Sequence, residues 1–303
     1  MDRLSDRLSL EFHDDPARFL DEAGAFLATD PVIGSVIATV TRQAVTQGRD
    51  PAVPFAWWVL VRAGTEIVSA GMRTAPFEPY PTFVMPMPDE VAVDLARALH
   101  ARGELLGGSN GALPAAQVIA EETARLTGGR AVVNQHTRLF ECTEVTVPEP
   151  GEGWVLRPAR PEDAELCLDW YTRFGAEADE QAGREAGTGH TEHFSLEDTR
   201  RRIEDGVIWL VEDASGRVVH LTAVGTPAYG VSRVGPVYTP PEHRGLGLAS
   251  YAVGELTRRQ LAEGVRMCLF TDQANPTSNK IYEALGYERV VDMANLLVHA
   301  PHT

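Results

Sequence analysis

Apolar residues recur at helical spacing early in the chain: Phe19, Leu20, Ala23, Phe26 and Leu27, then a second stretch from Val32 to Gln47 that stops at Gly48. The period then shortens. Trp57–Val61 and Glu66–Ala70 flank Ala63-Gly64, which predicts a hairpin. A proline-rich connection over 75–81 leads to a strand at 82–85. The pattern next predicts a helix from Asp89 to Ala101, a short strand at Leu105-Leu106 opening onto a loop at Gly107–Gly111, and a helix from Pro114 to Leu126 ended by Gly128. Two strands, 131–134 and 138–145, close this half.

Residues 147–153, rich in Pro, Gly and Glu, read as a linker. A strand follows at Trp154–Arg157, and a helix from Pro161 to Phe174 has its proline where a helix tolerates one. Residues 175–194 read as a mobile loop and as part of an acceptor pocket. Ser195 then caps a helix reaching Gly206. A second hairpin, 207–211 with 217–224, turns at Ser215-Gly216. A strand at 234–238, a helix at 248–261 and a helix opened by Asn275-Pro276 and stopped by Gly286 complete the pattern.

The halves repeat. Trp58–Val61 precedes Trp209–Val211 by about 151 residues, helix 95–103 precedes 256–264 by 161, and Leu126–Val133 precedes Ala284–Val291 by 158. One domain duplicated is the expectation, with domains at 1–146 and 154–303 joined by 147–153.

Composition narrows the function classes. The net charge of −16 divides evenly: 20 acidic and 12 basic residues in 1–150, 23 and 15 in 151–303. A chain acidic throughout lacks the basic face that a phosphate backbone requires, so no nucleic-acid partner is expected. Cys142, Cys167 and Cys268 are far apart and lack metal or redox spacing, so buried thiols in a reducing, cytoplasmic setting are expected. The longest strongly apolar run, Phe55–Val61, is too short for a membrane span, and the N-terminus lacks the order of a signal peptide. No metal is expected. His190 and His193 read as loop residues rather than ligands.

Chemistry concentrates at Arg244-Gly245-Leu246-Gly247-Leu248-Ala249-Ser250, between a predicted strand and a predicted helix. Glycines admit a ligand close to the backbone, and a first helical turn offers unpaired N–H groups and the positive end of a dipole. A Walker-type loop is excluded because no Gly-Lys-Ser/Thr follows. A dinucleotide fingerprint lacks its third glycine, where Ser250 stands. A pyrophosphate cradle for coenzyme A is the third reading, beside that weak dinucleotide one. Slid back by 161, residues 244–249 fall on Phe83–Pro88, which has no glycine; Tyr282 slid back by 158 falls on Ala124. The first copy is expected to keep the scaffold and lack the cradle.

Arg244-x-x-Gly247-x-Ala249, preceded by Val237–Glu242, resembles the acetyl-CoA-dependent N-acetyltransferases of the GNAT superfamily. Leu269–Tyr287 is similar to that family's closing motif, through Asn275, Tyr282, Gly286 and Tyr287. The resemblance covers 154–296 and reaches the first half only through the repeat. It implies two tandem acyl-CoA N-acyltransferase domains of α/β class, each a mixed, mostly antiparallel sheet flanked by helices. It also implies acetyl-CoA as cosubstrate, held by the extended backbone of Val237, Tyr238 and Thr239, by residues 244–250, and by Asn275 with Ser278 and Asn279. Tyr282 would donate a proton to the departing thiolate. The acceptor would be a primary amine of a small molecule or peptide, attacking directly. Its base is left among Glu212, Asp213, His220, Tyr238 and a water chain. The first copy would serve as scaffold, cleft wall or homodimer surface. A non-catalytic acyl-CoA-binding protein is the alternative.

Overall fold

In the computed structural model, which describes residues 8–49, 53–181 and 195–301, the chain runs β1 (Leu8–His13), α1 (Pro16–Leu27), α2 (Ser35–Gln47), β2 (Trp57–Ala63), β3 (Glu66–Arg73), β4 (Thr82–Val84), α3 (Asp89–Ala101), β5 (Gly108–Ala112), α4 (Ala115–Thr127) and β6 (Arg130–Cys142). It continues through β7 (Val155–Pro158), α5 (Ala164–Gln181), α6 (Leu196–Glu204), β8 (Ile208–Glu212), β9 (Val218–Val224), β10 (Val231–Tyr238), α7 (Leu248–Ala262), β11 (Arg266–Asp272), α8 (Pro276–Leu285) and β12 (Glu288–His299). The order βααβββαβαβ occurs twice. The offsets hold at the helix ends: Gly103 and Gly264, like Gly128 and Gly286, all take left-handed φ.

The chain divides into two compact units, Met1–Arg138 with Val291–Thr303 and Leu139–Val290. Residues 147–153 lie within the second. In the first unit β1, β2, β3 and β4 pair antiparallel in sequence, β4 and β5 pair parallel, and β5 pairs antiparallel with β12. Its core is built from Trp57, Val59 and Val61 with Val91, Leu95 and Leu99, one face of α3 at fourfold spacing. In the second unit β7, β8, β9 and β10 pair antiparallel, and β10 pairs parallel with β11. Helices cover both faces of this sheet. Val253, Leu256, Tyr282 and Leu285 pack beneath α7 and α8. Cys167, Trp170, Tyr171 and Ile203 pack beneath α5 and α6. The expected mixed, mostly antiparallel α/β architecture is borne out.

Local chemistry accounts for most boundaries. Asp15 accepts from the Ala17 amide at 2.8 Å, and Pro16 opens α1. Ser195 and Asp198 form a reciprocal capping box that starts α6. Other expectations are corrected. The glycine-rich stretch expected to be loop is strand from Gly108 onward, and Leu105-Leu106, expected as strand, lies outside it. Side chains there would collide: a Cβ on Gly108 would lie 2.5 Å from the Leu296 carbonyl oxygen, and one on Gly111 would lie 2.1 Å from that of Val84. The two strands expected at 131–145 are the single long β6. Residues 175–181 extend α5 as helix; the remainder of the expected mobile loop, 182–194, with His190 and His193, lies outside the described residues. β1 has no counterpart in the sequence reading. The three cysteines are buried free thiols, and burial pushes Cys142 up to about 11 and Cys167 up to about 12. No helix among the described residues is long and apolar enough to cross a membrane.

Candidate functional site

The parallel pair of the second unit opens part-way along. β10 and β11 are in register from Val231–Arg266 to Val234–Leu269. Beyond that, β10 continues beside β9, with a register shift between Val234 and Val237, as far as Tyr238 opposite Leu221. The other edge of 235–238 therefore has no strand partner among the described residues. Val237, Tyr238 and Thr239, expected to lie along a ligand, sit at this open edge. Pro240 and Pro241 follow and have no N–H to offer.

The backbone then makes a short 3₁₀ turn at Pro241–His243 and enters α7 through Gly245 (φ 78°) and Gly247 (φ 88°). Gly247 is the N-cap residue, so no side chain caps the helix, and its first turn holds no carboxylate. The first-turn amides are left for an anion. Nothing lies within 4 Å of where a Cβ on either glycine would stand. Leu246 between them is 61% exposed, whereas Leu248 is buried beneath the helix. Ala249 and Ser250 are half-buried in the first turn.

Arg244 departs from expectation. Its Nε donates to the Thr239 carbonyl at 2.9 Å, and its Nη2 pairs with Glu177 of α5. The other oxygen of Glu177 accepts from the Tyr238 hydroxyl at 2.8 Å. Burial first, then the Glu177 carboxylate, pushes Tyr238 up to about 12, so it is a proton donor rather than a base. Glu177 carries no motif, and only its packing against β10 reveals it.

On the opposite side of the opening, Asn275 caps α8 by accepting from the Ser278 amide at 3.0 Å. Asn279 accepts from the Thr271 hydroxyl at 3.0 Å and donates to the carbonyls of Asp272 and Asn275 at 3.1 and 2.9 Å. It holds the β11–α8 turn together. Tyr282, 9% exposed, meets the Tyr287 ring edge-on at 5.9 Å and has no hydrogen bond to another described residue. Tyr287 is itself anchored 2.6 Å from the Thr257 hydroxyl of α7. Burial pushes Tyr282 up to about 12.

The remaining candidate bases are ion-paired or buried. Glu212 pairs with Arg157 at 2.5 Å on β8. Asp213 is held well below the carboxylate range by Ser215 and Arg217 in the hairpin turn. His220 is fully buried, with Nδ1 and Nε2 each 2.7 Å from a hydroxyl oxygen, of Thr239 and Thr222 respectively. Burial drives it down to about 3, so it is neutral, and it positions Thr239.

Among its described residues the first unit lacks these features. β4 and β5 stay paired from Thr82–Ser109 to Val84–Gly111, along the whole of β4. α3 carries Asp89 and Glu90 in its first turn, where an anion would be repelled. The cluster Glu11, His13 and Glu22 has ligand atoms within 4.8 Å of one another, but Arg62 already pairs with both carboxylates at 2.6 and 2.7 Å.

The family model for FR47-like proteins matches residues 215–295, the span that holds the opening, the glycine cradle and Tyr282. The chain's fold is that of the GNAT acetyltransferases. Its tandem fold matches a tandem GNAT protein from the clavulanic acid biosynthesis pathway, with a TM-score of 0.55 and 14% identity over 97% of this chain and 100% of that one. A GCN5-related N-acetyltransferase from Sphaerobacter thermophilus matches with a TM-score of 0.58 and 17% identity over 98% of each chain. A mycothiol acetyltransferase from Thermobispora bispora is 30% identical over 195 residues, 60% of this chain and 61% of that protein. The match thus spans about three-fifths of that relative's length. The matched family model falls wholly within the second copy.

Proposed function

We propose that the second unit transfers acetyl from acetyl-CoA to a primary amine of a small molecule or peptide. The opening of the β10–β11 pair beyond Val234 and Leu269 carries this reading. It leaves an extended backbone edge that can bond the pantetheine arm as an added strand would. The coenzyme fits the surroundings: left-handed glycines with open space before an uncapped helix suit its diphosphate. When bound, it supplies an acetyl thioester, an acyl donor with a thiolate leaving group.

The chain's own groups have distinct tasks. The first-turn amides of α7 neutralise diphosphate charge, at about 0.3–1 kcal/mol per favourable charge at an exposed site. His220 holds Thr239, and Thr239 holds Arg244. Tyr282 keeps its proton at any physiological pH and has no competing partner for it among the described residues. The amine arrives largely as ammonium, since an alkylamine has a pKa of about 10.4, and it must lose a proton before attack.

The test is amine-dependent release of free thiol from acetyl-CoA by the full chain, across a panel that includes the acceptor of mycothiol acetyltransferases. Release with at least one amine, together with calorimetric CoA binding, is expected. CoA binding with no thiol release across the panel would leave a binding protein. A further expectation concerns Glu177. It competes with any anion for Arg244, so Glu177→Gln should tighten CoA binding about three- to tenfold, read by calorimetry. Weaker binding in that variant would instead make Glu177 a support of the cradle.

A further inference from the structure

The β10–β11 pair has two faces. On one, Val234, Met267 and Leu269 join the core beneath α7 and α8. Side chains alternate along a strand, so Arg233, Cys268 and Phe270 lie on the other, the face that α5 and α6 cover. Arg233 stands opposite Cys268, one residue short of the last paired position, and Phe270 is the first residue of β11 past it. The Arg233 guanidinium lies 5.9 Å from the Phe270 ring centroid. The side chain therefore leans along the sheet toward the opening.

Arg157, Arg244, Arg259 and Arg266 of the same unit are each matched to a carboxylate. Arg233 is half-buried and has no ion pair or hydrogen bond from its side chain to another described residue, although its Nη1 is fully buried. Leaving such a donor unmade costs about 1–3 kcal/mol, and more for a charged group. The Phe270 ring attracts the positive charge but offers that N–H no oxygen. The surroundings are clear of side chains. Gly225, beside Arg233 on the β9 side, donates its amide to the Arg233 carbonyl at 2.9 Å. Gly235 stands two residues on, with nothing within 4 Å of where its Cβ would be. A buried, unpaired guanidinium beside open space, at the mouth of the opening, is built to receive an oxyanion.

We propose that Arg233 binds a carboxylate of the acceptor, so that the acetylated amine also bears a carboxylate, as an amino acid does, and that Phe270 forms the wall beside it. The inference rests on the acetyl-transfer reading of the second unit, and goes further by naming the acceptor class and the residue that selects it. The planar guanidinium fork meets a carboxylate in bidentate fashion. One guanidinium neutralises a carboxylate fully and a phosphate dianion only by half, which favours the monoanion.

The experiment measures thiol release from acetyl-CoA by the full chain with matched acceptors: the common amino acids beside their carboxamides, and phosphoethanolamine beside ethanolamine. The native protein is expected to favour at least one acid over its amide by about ten- to hundredfold in kcat/KM, the worth of a charge-assisted hydrogen bond. Arg233→Gln should reduce that preference to about twofold or less, and Arg233→Lys should keep part of it. The same acid, titrated by calorimetry into CoA-saturated protein, should bind the Gln variant about tenfold more weakly, while CoA affinity itself stays within about twofold of native. The native comparison of acid with amide needs no variant, so it decides the matter even where a substitution impairs folding. A native protein that favours the amides, acetylates phosphoethanolamine alone, or binds CoA and acetylates no acid overturns the assignment while the CoA site stands. A folded Gln variant that keeps the preference overturns it too. If the native protein neither binds CoA nor transfers to any amine, the acetyl-transfer reading falls and this inference falls with it.

Discussion

Replacing Gly247 with glutamate is expected to remove CoA binding, with a loss of at least about a hundredfold, while the chain keeps its fold. Two effects separate at this position. Gly247 has φ 88°, and a side chain there costs about 1–2 kcal/mol of backbone strain. No atom lies within 4 Å of the new Cβ, so packing is untouched. A carboxylate at the start of α7 regains part of the strain by facing the helix dipole. The thermal midpoint should therefore fall by only about 2–8 °C. The binding effect is larger because the carboxylate takes the first-turn amides and meets the diphosphate with like charge. Two like charges in contact at a protein surface repel by about 4 kcal/mol. Gly247→Ala isolates the strain and should keep CoA affinity within about tenfold of native, because its only cost is conformational. Calorimetry on both variants, with thermal melts as the folding control, checks the pair. Retained CoA affinity in the glutamate variant would remove the cradle from the site.

The residues that carry this prediction were legible because they are local. Gly245, Gly247, Asn275 and Gly286 each satisfy a backbone rule that the sequence displays without tertiary information: left-handed φ, a helix cap, a helix stop. The duplication was legible for the same reason, since its offsets are fixed by paired punctuating glycines. What stayed hidden is non-local or contradicts a local signal. Gly107–Gly111 carries the composition of a loop and is partly strand, because Val84 and Leu296 approach too closely for side chains. The helical reach of 175–181 is supported by packing on β10, which no spacing announces. Arg244 read as a free phosphate ligand. Its partner Glu177 lies 67 residues away and belongs to an element whose end was misplaced. His220 read as a candidate base because its type permits it, and full burial between two hydroxyls makes it a strut. The β10–β11 opening depends on where a parallel register stops, which neither strand encodes alone.

Tyr282→Phe is expected to slow acetyl transfer more than tenfold and leave CoA affinity within about twofold of native, the signature of a group that acts on the reacting atoms rather than in binding. Phenylalanine preserves the edge-on contact with Tyr287 and the packing against Leu285, since only the hydroxyl is lost. That hydroxyl has no hydrogen bond to another described residue, so its removal orphans no partner and stability should change by less than about 1 kcal/mol. The pH profile supplies an independent sign. Burial pushes the phenol up to about 12, so the acid form persists across the accessible range. The amine must be neutral to attack, so the native rate should climb with pH toward the acceptor's own pKa. It should show no descending limb attributable to the tyrosine below about pH 11. A residue that merely fills the core would leave the rate near native in the phenylalanine variant. A descending limb near pH 8 that disappears on substitution would show that the phenol titrates lower than its burial implies. A thiol-selective trap for free CoA measures the rate, and calorimetry measures affinity, on the same preparations. If transfer in Tyr282→Phe stays within twofold of native, Tyr282 is a packing residue and the departing thiolate takes its proton from solvent.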